Sequence, residues 1–183
     1  MDLLDPLAQS FDHAATVFAG VDSQALDVPT PCTEWTLRTL LGHTLGVVTN
    51  MGLGARGEEL LPVTTVALDP DLGAQFRSAA DATLAAWTAR GLDGDVNVGA
   101  GPMPVAAALC VNLIDTTAHS WDIARATGQP AELPDGLAQT VLVVGEGFIT
   151  DQLRERVGFN APVAVPADAS ATDQLVAFLG RRP

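Results

Sequence analysis

From Val111 to Ala124 the chain reads VNLIDTTAHSWDIA, a segment that is apolar around most of a helical circumference. A helix that is apolar nearly all round is a buried helix. Asp115, His119 and Asp122 interrupt this apolar surface. At about 100° per residue, these three side chains lie within roughly 60° of one another on one helical face. The segment therefore predicts a buried helix with one polar stripe, which Asn112 extends.

The rest of the chain predicts further helices, because apolar residues recur every three or four positions. The expected segments are Asp2–Ala19, a second helix from near Trp35 (N-cap Thr33 or Thr36) that breaks at Gly52, Gly54 and Gly57, then Asp71–Arg90, Pro104–Thr127, Asp135–Arg156 and Thr172–Leu179. Strand signals are weak, apart from a short extended segment that 91–101 could hold. Helices of roughly 18–24 residues suit a bundle. We therefore predict an all-α four-helix bundle with extra short C-terminal helices and an extended tail, as a single domain over residues 1–183.

The composition limits the partners that we expect. The net charge of −13 opposes binding to nucleic acids and to anionic membranes. No apolar run reaches the length of about 18 residues that a membrane span needs, and the acidic N-terminus does not resemble a signal peptide. Two cysteines are too few for a disulfide framework. We therefore expect a cytoplasmic protein with reduced thiols that binds neither nucleic acid nor membrane.

The polar stripe suggests a metal site. A buried carboxylate and imidazole are unfavourable unless they are paired or bind a metal. Aspartate oxygen and neutral histidine nitrogen suit Zn²⁺, Ni²⁺ or Fe²⁺. For a third ligand we choose His43, at the edge of the apolar face of the second helix, because His13 is directed away from the apolar face of the first. The hypothesis is a divalent metal held by His43, Asp115 and His119, with open positions that are typical of a reactive site.

The same residues permit other interpretations. Asp115 and His119 also fit an intrahelical ion pair, and Asp122 fits a surface pair with Arg125. His43 alone fits a hydrogen-bonded core histidine. Spacing does not choose between these interpretations.

Other residues near the stripe have expected roles outside the ligand set. Trp35, Trp121 and Asn112 are candidates for the substrate pocket, although large aromatic residues also suit a plain core. Cys32 precedes His43 by eleven residues. That would be about 16 Å along a helix at a rise of about 1.5 Å per residue, so we do not expect Cys32 to be a ligand. Cys110 is expected to serve packing.

Three blocks of sequence carry a family resemblance. They are PTPCTEWTLRTLLGH from Pro29 to His43, DTTAHSWDIARATG from Asp115 to Gly128, and PADAS from Pro166 together with FLGR from Phe178. The chain resembles an actinobacterial group of DinB-like metal-binding proteins, related to the N-terminal domain of mycothiol-dependent maleylpyruvate isomerases. The resemblance covers essentially the whole chain. It implies a DinB-like four-helix bundle with a divalent metal, usually zinc, between the helices.

The resemblance also implies a ligand set. The histidine on the second helix and the Glu-x-x-x-His pair of the isomerase map onto His43, Asp115 and His119. Aspartate replaces glutamate here, so the carboxylate reaches one methylene less far. Asp122 is then expected to orient His119 or to act as a base.

For function, the resemblance implies a thiol-dependent transferase or isomerase that uses mycothiol and acts on a small electrophile. Isomerisation of maleylpyruvate itself is not expected, because the isomerase has a further C-terminal domain and this chain stops soon after the bundle. The alternatives are a non-catalytic metal- or ligand-binding stress-response module and a metal-dependent hydrolase. The resemblance is compatible with a homodimer, because related bundles often dimerise, but it does not fix the oligomeric state.

Overall fold

The structure is a computed structural model that describes residues 2–62, 66–157 and 159–183. Its described helices are α1 (Leu4–Ala19), α2 (Leu37–Arg56), α3 (Leu72–Arg90), α4 (Val105–Thr127), α5 (Asp135–Phe148), α6 (Asp151–Val157) and α7 (Ala171–Phe178). Two three-residue strands, β1 (Asp95–Asn97) and β2 (Pro102–Pro104), form an antiparallel pair. The predicted all-α class is confirmed. None of the described helices combines the length and the apolar character that a membrane span needs.

The chain divides into two compact units, Met1–Ala131 and Glu132–Pro183. The first unit contains α1–α4 and the two strands. In the second unit α5 packs against α7, and the Arg154 guanidinium lies 5.0 Å from the ring centroid of Phe178. The single domain over residues 1–183 stays a prediction.

The four long helices form the bundle of the first unit. Helices α1 and α2 each contact both α3 and α4, so α1 and α2 occupy opposite corners. The buried side chains at the centre include Phe11, Phe18, Leu40, Leu41, Leu45, Phe76, Trp87 and Leu113. Polar groups inside this core are satisfied across helices: the hydroxyls of Ser10 and Thr117 lie 2.8 Å apart, and Trp87 Nε1 donates to Asn112 Oδ1 at 3.2 Å.

The helix ends follow local sequence signals. Thr36 caps α2 by accepting a hydrogen bond from the Thr39 amide, and Asp71 caps α3 by accepting one from the Ala74 amide. Gly57 and Gly128 end α2 and α4 in the left-handed conformation, with φ of 71° and 69°. The ends of these helices therefore follow capping residues that the sequence shows.

The prediction that α2 breaks at Gly52 and Gly54 is wrong, because the helix continues to Arg56. The two glycines instead allow close packing. A Cβ atom at position 52 would lie 2.6 Å from Thr83 Oγ1 on α3, and one at position 54 would overlap the carbonyl oxygen of Asn97 in β1. The missing side chains let neighbouring elements approach the backbone of α2 directly.

The single helix predicted over Asp135–Arg156 is also wrong, since α5 ends at Phe148 and α6 begins at Asp151. Ile149 leaves the helical region with φ of −88° and ψ of 91°. Thr150 Oγ1 then accepts a hydrogen bond from the Leu153 amide at 3.2 Å. A threonine that satisfies an amide of the following turn begins a new helix.

Candidate metal centre

The candidate site lies between α2 and α4, under the loop that precedes α2. Thr30 organises this loop, because its hydroxyl donates to the carbonyl of Trp35 at 2.9 Å and its Oγ1 accepts from the Cys32 amide at 3.1 Å. A bridge between Pro29 and Thr36 closes the base of the loop. The folded loop carries the side chains of Cys32 and Trp35 to the end of the polar stripe on α4.

Three predicted ligands converge there. Asp115 Oδ1 lies 3.5 Å from His43 Nε2 and 3.5 Å from His119 Nε2. The two imidazole rings stand edge to face with their centroids 5.1 Å apart. One ligand atom from each of the three residues lies within 4.8 Å of the other two. His43 comes from α2, whereas Asp115 and His119 occupy successive turns of α4.

These distances fit a shared cation. Nitrogen and oxygen ligands bind Zn²⁺ at about 2.0–2.2 Å, which places tetrahedral neighbours about 3.3 Å apart. Separations of 3.5 Å are close to that spacing and are longer than a charge-assisted hydrogen bond. The side chains of His43 and Asp115 keep 27% and 21% of their surface exposed, so the site is open to solvent. The donor set and its spacing therefore suit a divalent metal with further open positions.

Asp122 lies behind His119 and is fully buried. Its Oδ2 is 3.0 Å from His119 Nδ1, the nitrogen on the far side of the ring from Asp115. When Nδ1 carries the ring proton it donates to this carboxylate, and Nε2 is then free to bind a cation. A histidine ligand held by a carboxylate in this way is the usual arrangement of metal centres. The structure thus places Asp122 beside His119, and its full burial argues against a surface pair with Arg125.

Cys32 lies close to the candidate ligands, whereas the sequence predicts a long separation. Its Sγ lies 3.3 Å from Asp122 Oδ2 and 3.9 Å from His119 Nδ1. A long separation requires the helix to extend back to residue 32, but α2 begins at Leu37 and the preceding loop folds over the site. The run Pro29-Thr30-Pro31 was the sequence signal for a turn here.

The three candidate pocket residues have different surroundings. Trp35 lies at the site, with its ring centroid 4.6 Å from that of His43 and 5.8 Å from that of His119. Trp121 is buried and its ring contacts the Arg125 guanidinium at 5.4 Å. Asn112 is buried against Trp87 in the core. Among the described contacts of these three residues, it is the ring of Trp35 that packs against the candidate ligands.

The other histidine and cysteine lie apart from this cluster. His13, on α1, is half-buried and burial lowers the pKa of its imidazole. Cys110, near the start of α4, is also half-buried and burial raises the pKa of its thiol. Within the described part of the chain, neither residue belongs to a group of three potential metal ligands. Both therefore serve as matched control positions.

Comparison with known proteins gives two findings. Residues 7–124 match the family described as mycothiol maleylpyruvate isomerase N-terminal domain. Two proteins of Mycobacterium tuberculosis, recorded as uncharacterized proteins MT0763 (strain CDC 1551 / Oshkosh) and Rv0738 (strain H37Rv), are each 31% identical to this chain. Each of these alignments covers 97% of this chain and 98% of the relative. No solved structure matches the chain at a significant level.

Proposed function

The chain belongs to the mycothiol maleylpyruvate isomerase N-terminal domain family, and from this membership and the site geometry we propose that it is a divalent-metal-dependent enzyme of thiol chemistry. His43, Asp115 and His119 hold the metal, with zinc the first choice and nickel or iron the alternatives. The co-substrate is a low-molecular-weight thiol such as mycothiol, and the second substrate is a small electrophile. The observation that carries the proposal is the convergence of His43 Nε2, Asp115 Oδ1 and His119 Nε2.

The protein residues supply binding and orientation. A divalent metal bound at this site lowers the pKa of a thiol or water that occupies an open position. Asp122 fixes the ring of His119 through the 3.0 Å contact at Nδ1. Trp35 covers one side of His43 and gives an apolar surface on which part of a substrate can pack. Transfer then forms a bond from the thiol sulfur to the electrophilic carbon and breaks the bond between that carbon and its leaving group, which departs with the bonding electrons as an anion while the thiol proton goes to solvent.

The proposed setting follows from the same chemistry. Low-molecular-weight thiols are kept reduced in the cytoplasm, so we place the protein there. The negative net charge of −13 argues against nucleic acid and anionic membrane as partners. A homodimer remains our proposal for the assembly.

The test measures metal content and turnover on the same preparation. Protein purified without added metal is analysed for bound elements and is then mixed with mycothiol and a chloronitrobenzene, whose chloride the sulfur displaces. We expect one bound ion per chain and thioether formation that a chelator removes and added Zn²⁺ restores. Bound metal without turnover would favour the non-catalytic binding module. Turnover of an ester without thiol would favour hydrolysis.

Replacing Asp122 tests the orientation of His119. The Asp122→Asn variant keeps the size of the side chain but removes the charge that holds Nδ1. We expect metal affinity to fall by about 10–100-fold, the usual effect of removing a carboxylate partner of a histidine ligand. Zn²⁺ competition against a fluorescent chelator measures the change. Asp27→Asn is the matched control, since Asp27 lies in the same loop region as Cys32 and its side chain is 80% exposed. Equal affinities for wild type and Asp122→Asn would contradict the assignment.

A further inference from the structure

A second group of potential ligands surrounds the other nitrogen of His119. Cys32 Sγ, His119 Nδ1 and an Asp122 carboxylate oxygen all lie within 4.8 Å of one another. The separations are 3.3 Å from sulfur to Asp122 Oδ2, 3.9 Å from sulfur to Nδ1 and 3.0 Å from Nδ1 to Oδ2. The three residues come from the loop before α2 and from two adjacent turns of α4.

These separations approximate one face of a coordination tetrahedron. With metal–sulfur bonds of about 2.3 Å and metal–nitrogen or metal–oxygen bonds of about 2.0–2.2 Å, sulfur lies about 3.5 Å from its neighbours and nitrogen about 3.3 Å from oxygen. The observed separations differ from these values by about 0.4 Å or less, which small rotations of the side chains remove. We propose that Cys32, His119 and Asp122 form a second metal site, selective for thiophilic cations such as Cd²⁺.

The chemistry of the donors sets this selectivity. The first group offers two imidazoles and a carboxylate, whereas the second replaces one imidazole with a thiol. Thiolate sulfur favours soft cations over hard ones. Binding forms the sulfur–metal bond and releases the proton of the Cys32 thiol to solvent. Asp122 is fully buried and would complete the set from beneath, while the partly exposed loop gives the ion a route to Cys32.

Both groups use His119, so they exclude each other. A neutral imidazole has one nitrogen with a free lone pair, and the other nitrogen carries the proton. With a cation at Nε2, the Nδ1 proton faces Asp122 at 3.0 Å. With a cation at Nδ1, the Nε2 proton faces Asp115 at 3.5 Å. Each carboxylate is therefore a ligand in one state and the hydrogen-bond acceptor of the ring in the other.

This inference goes beyond the proposed function, because the second site does not need His43. A Cd²⁺ titration of the metal-free full chain, followed by the ultraviolet charge-transfer absorption of a cadmium–thiolate bond, tests it directly. We expect the wild type to develop this band and to saturate with one ion per chain. The Cys32→Ala variant should lose the band, with a loss of Cd²⁺ affinity at least equal to the roughly 10–100-fold typical of removing a ligand's partner. Cys110→Ala is the matched control and should keep the band.

Two further variants separate this site from the first one. His43→Ala should keep the cadmium–thiolate band while losing Zn²⁺ affinity, because it removes a ligand of the first group alone. Asp122→Asn should weaken the band, and circular dichroism checks that each variant retains its helical content. If Cys32→Ala does not fold, the Asp122→Asn and His43→Ala results decide the question.

The outcomes that overturn the proposal are specific. A wild type without the band, or a band that survives Cys32→Ala, removes the site. A band that is lost in His43→Ala shows that the cysteine-bound cadmium also needs His43, so that the second group is not a separate site. Simultaneous binding of one Zn²⁺ and one Cd²⁺ per chain contradicts the shared use of His119.

Discussion

The His119→Ala variant is expected to retain almost no divalent metal, whichever cation is offered. His119 supplies Nε2 to the group with His43 and Asp115, and Nδ1 to the group with Cys32 and Asp122. Removing its ring therefore takes one donor from both groups at once. The loss of affinity should exceed the roughly 10–100-fold that follows from losing only a ligand's hydrogen-bond partner.

Metal content and stability measure this effect together. In the wild type, a cation at one hundred times its dissociation constant should raise the free energy of unfolding by about 2.7 kcal/mol. The same cation should leave the stability of His119→Ala unchanged. His13→Ala is the matched control, because His13 lies on α1 outside both donor groups. If replacing the buried His119 impairs folding, the His43→Ala variant supplies a second test at a more exposed position.

Full metal content in His119→Ala would contradict both metal sites. Loss of metal in His13→Ala, with His119→Ala unaffected, would place the cation elsewhere in the bundle. Each of these results is independent of turnover, so the outcome is clear even if no substrate is found.

The Gly54→Ala variant is expected to destabilise the protein, although alanine is the better helix former. Replacing a glycine in a helix interior with alanine ordinarily gains roughly 1 kcal/mol. At position 54 the added methyl would overlap the Asn97 carbonyl oxygen and contact the Val98 side chain at 3.0 Å. A clash with backbone is hard to relieve, and overpacking typically costs about 1–3 kcal/mol. We therefore expect a net fall in the free energy of unfolding, measured by urea denaturation.

Gly42→Ala is the matched control in the same helix. A Cβ atom at position 42 would have its nearest neighbour, the Val66 carbonyl oxygen, at 3.9 Å, which is ordinary contact. This variant should gain stability from helix propensity, so the two substitutions should have opposite signs. Stabilisation by both would show that the close approach of α2 to β1 is relaxed at little cost.

The helices could be predicted because local signals and tertiary packing agree. As expected, α3 lies between the capping residues Asp71 and Gly91, and α4 lies between Pro104 and Gly128. The predictions were wrong where one residue type can have two structural roles. From the sequence alone, Gly54 is typical of a residue that ends a helix. In the structure it lies inside α2, and its missing side chain lets β1 pack against the helix backbone. The apolar spacing of the sequence continues unbroken past Thr150, so it gives no sign that the Thr150 hydroxyl caps a new helix there.

The candidate site was predictable for the residues that lie on the two long helices α2 and α4. Asp115, His119 and Asp122 share a face of α4 because helical geometry fixes their spacing. Cys32 was missed because its place depends on a loop, where Thr30 folds the backbone back on itself. Sequence separation of 87 residues from His119 gives no guide to such a contact. The assignment of these side chains to a metal stays a prediction until a bound ion is measured.

The candidate metal ligands and the aromatic core of the bundle lie on different helices. Within the described residues, both donor groups draw on α4, α2 and the loop before it, and none of their members lies on α1 or α3. The buried interface between α1 and α3, around Phe11, Phe18 and Phe76, can therefore be redesigned to raise thermal stability. Such a redesign changes none of the donor residues, so the chain is a suitable scaffold for the design of new metal sites.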